Sequence, residues 1–347
     1  MPVQGVSGAS GASGASGTSG VSGSPTDSYQ NLRIVSWNIQ NLFDSEWQGT
    51  EYPEYDPRPP KNNPETSSPA WGEAGYRYRI KSLAAVLDRL DADILALTEI
   101  ENDNALSQLN LQLRKPYPYR LLLPQKDQAV HSALLSRIPI LRSLRHDVGF
   151  DAKRKLRAII EVHLENKFIL FLNHWKSQRE GYYETLAQRK KAAAVLAARL
   201  LDLPFEYVLI LGDFNEPVDS FFRYTDSSFR STWWGFYSPW FAYDQGFENN
   251  SLDYDEAFQT PVLTDISEQS SSKLIRQGSY YFRGRWQAID NIFISPNFQK
   301  GLWKFSRFSV PRFAPLVRQN GLPNAWRKEI MSGISDHLPL LLELQGP

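Results

Sequence analysis

The sequence predicts a sheet-rich α/β sandwich, and three observations predict it. Apolar runs of strand length are many, from Leu32–Asn38 to Leu338–Leu344. Helical periodicity is confined to three stretches, Tyr76–Leu90, Ala105–Arg114 and Tyr182–Leu201. The 347 residues are 41% apolar and 13% aromatic, enough to bury a sizeable core between layers.

Taken in order, Leu32–Asn38 reads as a strand ending in polar residues, and Tyr52–Ala70, rich in Pro, Asn and charge, as a loop. Tyr76–Leu90 puts Ile80, Leu83, Ala84, Val86, Leu87 and Leu90 on one helical face. A short strand, Asp93–Leu97, ends at Thr98-Glu99, and Ala105–Arg114 is a second helix. Val130–Leu135, Ala158–His163 and Phe168–Asn173 are strands. Tyr182–Leu201 is a long helix with Leu186, Ala193, Leu196, Ala197 and Leu200 on one side. Tyr207–Leu211 is a strand running into Gly-Asp-Phe-Asn, and Ala288–Ile294 and Leu338–Leu344 are late strands.

Ahead of this lies a Gly/Ser-rich stretch with Gly at every third position from Gly5 to Gly23. With no Pro inside its triplets, a flexible tail fits better than a collagen helix. The expected organisation is therefore a tail over residues 1–30 and a single domain over 31–347. No apolar run approaches the roughly 18–20 residues of a membrane span. No charged start leads into an apolar leader segment, which leaves the cytoplasm as the default compartment and secretion open. The absence of Cys excludes disulfide scaffolds, thiolate metal sites and cysteine nucleophiles.

Net charge is zero, so the molecule as a whole is no polyanion binder, but its charge is segregated. Asp213–Ser272 holds 11 acidic against 2 basic residues, and Lys273–Ile330 holds 11 basic against 2 acidic. One side of such a polar face suits an anion.

Several predicted strands end or begin in carboxylate, amide or imidazole groups. They are Trp37-Asn38, Thr98-Glu99, Asn173-His174, Asp213-Phe214-Asn215, Ile289-Asp290-Asn291 and Ser335-Asp336-His337. Strand ends on one rim converge in space. Oxygen-rich groups suit a hard divalent ion such as Mg²⁺, and imidazoles beside Asp suit proton transfer. Together they are equipment for hydrolysing a phosphate ester.

On these residues the chain resembles the endonuclease/exonuclease/phosphatase superfamily. The resemblance rests on Ile34-Val-Ser-Trp-Asn38, Leu97-Thr-Glu-Ile100, Asn173-His-Trp-Lys-Ser177, Leu211-Gly-Asp-Phe-Asn215, Ile289-Asp-Asn-Ile-Phe-Ile-Ser295 and Ser335-Asp-His-Leu-Pro339. These occur in the family's order over residues 32–344, and look most like bacterial nuclease-type members. The resemblance implies a four-layer αββα sandwich of two mostly antiparallel sheets flanked by helices. It implies Mg²⁺ (Mn²⁺ or Ca²⁺ as substitutes) held by Glu99, Asp336 and Asn38, with Asn38 also contacting phosphate. Asp213 and Asn215 would hold the attacking water and a phosphate oxygen. His337, oriented by Asp290, would be general base or phosphate contact. His174 would protonate the leaving oxygen or grip the phosphate. Arg157 matches an arginine near the phosphate, and a surface salt bridge is its alternative. The implied partner is nucleic acid, DNA rather than RNA, cut by a monomer.

Departures are Gln40, where many repair enzymes carry Asp, and Asn291, where they carry Tyr. His131 either substitutes for a partner of the active-site imidazole or is merely exposed. Arg, Lys and aromatics interleave from Tyr280 to Arg318, as a nucleic-acid surface or as edge strands with a solvated basic face. Trp-rich Thr232–Phe247 reads as a satellite hydrophobic cluster, a stacking lid or a membrane-interface anchor. The last would make the enzyme a sphingomyelinase-like phospholipid phosphodiesterase.

Overall fold

Two β-sheets face each other in the computed structural model, which describes residues 30–56, 71–151, 154–203, 207–216 and 278–347. The strands in chain order are β1 (Asn31–Leu42), β2 (Ile94–Ile100), β3 (Tyr119–Leu122), β4 (His131–Ser136), β5 (Ile140–His146), β6 (Phe150–Asp151) and β7 (Arg154–Lys155). They continue with β8 (Ile159–Leu164), β9 (Phe168–His174), β10 (Tyr207–Asp213), β11 (Tyr280–Phe282), β12 (Arg285–Gln287), β13 (Asp290–Ile294), β14 (Lys304–Ser309) and β15 (Leu340–Gln345). The longer helices are α1 (Glu73–Leu90), α2 (Asp103–Gln112) and α3 (Tyr182–Leu201).

One sheet has the order β14-β15-β1-β2-β4-β3 and the other β13-β10-β9-β8-β5. Each is antiparallel except for one central parallel pair, β1 with β2 and β9 with β10. Such buried pairs read as continuous apolar runs, and all seven residues of β9 are buried. The sandwich class that the sequence predicts is the one observed. The Gly/Ser tail and Thr232–Phe247 lie outside the described residues. No helix among the described residues is long and apolar enough to cross a membrane.

Helix α3 has the bounds that periodicity predicts. Helix α1 starts three residues earlier, at Glu73, whose carboxylate accepts from Ser45 Oγ (2.8 Å) and pairs with Arg77. The first turn is thus held by a tertiary contact that no local pattern encodes. Strands β5 and β14 are sheet edges with mixed burial, and β5 escapes a periodicity reading. In β14, Phe305 and Phe308 are buried while Arg307 is exposed, the edge-strand alternative for that part of the basic–aromatic stretch.

Strand β8 carries Glu161, fully buried, bonded to Arg199 of α3 (2.7 and 2.8 Å), His146 (2.7 Å) and His163 (2.5 Å). Burial alone would raise this carboxyl, but the bonds from Arg199, His146 and His163 hold it well below its ordinary 4.5. Glu161→Gln should cost about 2 kcal/mol of stability near neutral pH, discounted because Arg199 reaches solvent. A depressed carboxylate stabilises above its unfolded value and loses that contribution as pH falls through the folded one. The deficit, followed by denaturant unfolding, should therefore shrink below about pH 4.5. An equal deficit at about pH 3 and pH 7 would refute this account.

Candidate active site

Parallel pairing sends the C-terminal ends of β1 and β2, and of β9 and β10, to one rim. Asn38 lies level with Thr98, beside Glu99, and Asp213 lies level with His174. The antiparallel strand β13 begins at that rim with Asp290 opposite Asp213. The chain entering β15 brings His337, whose carbonyl accepts from Trp37 Nε1 (3.0 Å). Topology thus collects groups that the sequence scatters.

The backbone departs from regular strand at these residues. Register breaks between Asn38 and Leu42, and again between Leu97 and Ile100. Gln40, Asn41, Glu99 and Asn215 all take left-handed φ, between 51° and 69°. Strain of this kind gathers at functional sites. Gly212 has φ +136°, and a Cβ there would lie 1.9 Å from the Asn173 carbonyl, so only glycine permits the turn into Asp213.

Asn38 spans the centre. Its Nδ2 donates to Glu99 Oε1 (3.1 Å) and Asp213 Oδ2 (3.0 Å), and its Oδ1 accepts from Gln40 N (3.0 Å). Asn41 N fixes Glu99 Oε2 (2.9 Å), and Asn215 N fixes Asp213 Oδ1 (2.8 Å). His174 Nε2 stands 3.7 Å from Glu99 and 3.9 Å from Asp213. Its burial, with the positive charges of Arg157 and His337, lowers its pKa well below 6.5, so these approaches are not ion pairs. His337 Nδ1 meets Asp290 Oδ2 at 2.7 Å, and Ser279 Oγ donates to the same oxygen (2.5 Å). Burial opposes charge on His337, but Asp290, Asp336 and Asp213 outweigh it and hold the ring well above 6.5. Burial and the Asp290 charge push Asp213 up to about 7. Asp336 is raised by burial and by the charge of Glu99.

Crowded carboxylates of this kind are a donor set for a hard cation. Among the described residues, ligand atoms of Asp213, Asp290 and His337 lie within 4.8 Å of one another and could hold one. That grouping would compete with the Asp290–His337 hydrogen bond. Glu99 and Asp336 supply carboxylate oxygens and leave that bond intact, whereas Asn38 turns its Nδ2, not its oxygen, toward Glu99 and Asp213.

Arg157 makes no ion pair among the described residues. It donates to the Trp175 carbonyl (3.3 Å) and bonds Tyr52, while its Nε is buried with no partner there. Asn215 Nδ2 is turned to the Trp175 carbonyl (3.2 Å). His131 is not part of the cluster; it sits against the carbonyls of Glu101 (2.6 Å) and Gln125 (3.3 Å).

Sequence reading misses several residues that position the site. Gln40, noted only as a departure, accepts from Asp336 N (2.9 Å) and Trp326 N (2.7 Å), anchoring the segment that carries Asp336. Ser335 Oγ donates to the Asn38 carbonyl (2.7 Å) and accepts from His337 N (3.0 Å). The Tyr280 ring stacks on His337, 4.5 Å between centroids at 29°. Buried Arg79 donates to the carbonyls of Ile39, Gln40 and Ile334, tying the end of β1 to the approach to Asp336. Buried Arg189 pairs with Glu216 (2.5 Å) and donates to the Lys176 carbonyl (3.3 Å), tying the Asp213 turn to the segment after His174. Ser335 stands inside a motif and Gln40 beside one, and Gln40's amide where a carboxylate was expected is the available signal.

Comparison with known proteins agrees with this architecture. Humanized D. rerio TDP2 carrying 14 mutations is similar over 91% of this chain and 99% of its own, at 14% identity and TM-score 0.54. Truncated Caenorhabditis elegans TDP2 is similar over 91% and 98%, at 16% and 0.51. A functionally unknown conserved protein from Enterococcus faecalis V583 is similar over 91% and 100%, at 11% and 0.51. At such identities the likeness concerns the fold. A search of the curated proteins gives no match. The family model described as Endonuclease/Exonuclease/phosphatase family matches residues 35–337, nearly the whole globular span, and the chain belongs to that family.

Proposed function

We propose that this protein is a Mg²⁺-dependent phosphodiesterase that hydrolyses nucleic acid, a DNA endonuclease of low sequence specificity. The observation that carries the reading is the Asn38 amide held between Glu99 and Asp213, with His174 beside the same two carboxylates. Residues 31–347 would form one catalytic domain, acting as a monomer. Glu99 and Asp336 would hold the cation, joined by Asn38 once its amide turns Oδ1 toward Glu99; when bound, the cation polarises the phosphoryl group and neutralises its charge. Asp213, locked by Asn38 and the Asn215 N–H, orients the attacking water and accepts its proton. His337, with Nδ1 engaged by Asp290, turns its remaining ring nitrogen toward the phosphate. His174, beside Glu99 and Asp213, would grip the phosphate or assist the leaving oxygen, and Arg157 would lie near the phosphate. Positioning and charge carry most of the acceleration, since this chemistry asks for little covalent participation.

The phospholipid alternative rests on Thr232–Phe247, and no described residue favours it. Supercoiled plasmid and sphingomyelin liposomes, each with Mg²⁺ and with a chelator, separate the two. Nicking that the chelator abolishes is expected. Phosphocholine release with intact plasmid would overturn the proposal.

A further inference from the structure

The β11–β12 hairpin carries an open run of aromatic rings that begins at the active site. Tyr280 lies against the His337 imidazole. Phe282, two residues on and therefore on the same face of the strand, stacks parallel to Tyr280 at 6.1 Å and 16°. Phe282 is 46% exposed, at the outer end of this column. Arg283 places its guanidinium 5.2 Å above the Phe282 ring. The other face of the hairpin is braced: Tyr281 meets Trp286 across the strands, and Arg312 covers Trp286 at 4.3 Å while donating to the Gly278 carbonyl (3.1 Å). The two-residue turn Arg283-Gly284, with φ of 48° and 82°, suits a tight hairpin. From Gly278 to Ile289 the chain has two arginines and no acid.

A large apolar ring at a hairpin tip contributes little to the core. Aromatic and guanidinium planes beside a phosphate-cleaving centre are what a nucleobase stacks on. We propose that the β11–β12 hairpin is a base-stacking platform. An unpaired nucleotide of the substrate lays its base on Phe282 while its phosphate chain runs toward His337, so the enzyme prefers single-stranded to fully paired nucleic acid. In a duplex the base is already stacked on its neighbours and must first be unpaired and extruded. Stacking accepts every base, which accords with low sequence specificity. The inference rests on the nucleic-acid reading of the site.

The test uses the full chain with Mg²⁺ on three substrates: single-stranded oligodeoxythymidylate, the same strand annealed to its oligodeoxyadenylate complement, and an equal-length strand of abasic spacers. Wild type should favour the single strand over the duplex. Phe282→Ala should raise KM about tenfold on the thymidylate, an increase confined to the strand that carries bases, and Phe282→Trp should restore it. Equal KM changes with and without bases, no change at all, or a wild-type preference for the duplex would overturn the platform alone. Failure of wild type to cleave any of the three would overturn the nucleic-acid reading, and the platform with it.

Discussion

His337→Ala should slow phosphodiester hydrolysis by about three orders of magnitude while leaving a folded protein. The expectation follows from three carboxylates, Asp290, Asp336 and Asp213, that hold the ring's charge in a buried position. A preorganised charged donor aimed at a phosphate is worth about 10² to 10³ in rate, and positioned proton transfer about 10² to 10⁴. Asp290→Asn should act through the same ring, since it removes the negative charge 2.7 Å from Nδ1, and should cost about two orders. His174→Ala should also cost orders of magnitude. His337→Gln keeps volume and polarity, and guards against loss of packing under Tyr280. Steady-state rates on a single-stranded substrate, with circular dichroism of each variant, settle the matter. Wild-type turnover in His337→Gln would remove the residue from the mechanism.

The largest effect on stability should come from Arg189→Met. Arg189 and Glu216 are both fully buried and pair at 2.5 Å. Removing one member strands a charge away from water, which costs about 3–5 kcal/mol. For a chain of this size that is a fall in unfolding midpoint on the order of 10 °C. Arg189 also donates to Thr185 Oγ1 (2.7 Å) and the Tyr182 carbonyl (2.9 Å), so further acceptors are released. The double variant Arg189→Met with Glu216→Leu should recover most of the loss, because an apolar pair of similar volume leaves no charge behind. Calorimetry of the two variants checks this. A single variant as stable as wild type would show the pair to be dispensable.

The contrast between those two residues marks how far the sequence was legible. His337 sits in a local string, Ser335-Asp-His-Leu-Pro339, whose chemistry is visible without coordinates. Strand-end clusters at Asn38, Glu99, His174, Asp213 and Asp290 were visible for the same reason; the sheet-rich sandwich followed from strand-length apolar runs, and its two paired sheets from the family resemblance. Arg189 stands in Arg189-Lys190-Lys191, three cations in a row on a helix, where nothing local separates the buried one from its neighbours. Its role exists only once α3 lies over Glu216. Arg79 and the stacking of Tyr280 on His337 are hidden likewise, because each contact joins distant parts of the chain. The edge strand β5 was illegible for a different reason: it has no fully buried residue and so no clean alternation, whereas β14 was readable as an edge strand with a solvated basic face.

The two central parallel pairs carry a mechanical consequence. Asn38 and Glu99 ride on one pair, His174 and Asp213 on the other, so the centre consists of two half-sites. Spacing inside each half is set by strand register, which changes only in whole residues. Spacing between the halves depends on how one sheet slides over its neighbour, a continuous coordinate governed by interior side chains remote from any reacting atom. Turnover should therefore respond to repacking in the middle of the sandwich even where every rim residue is intact.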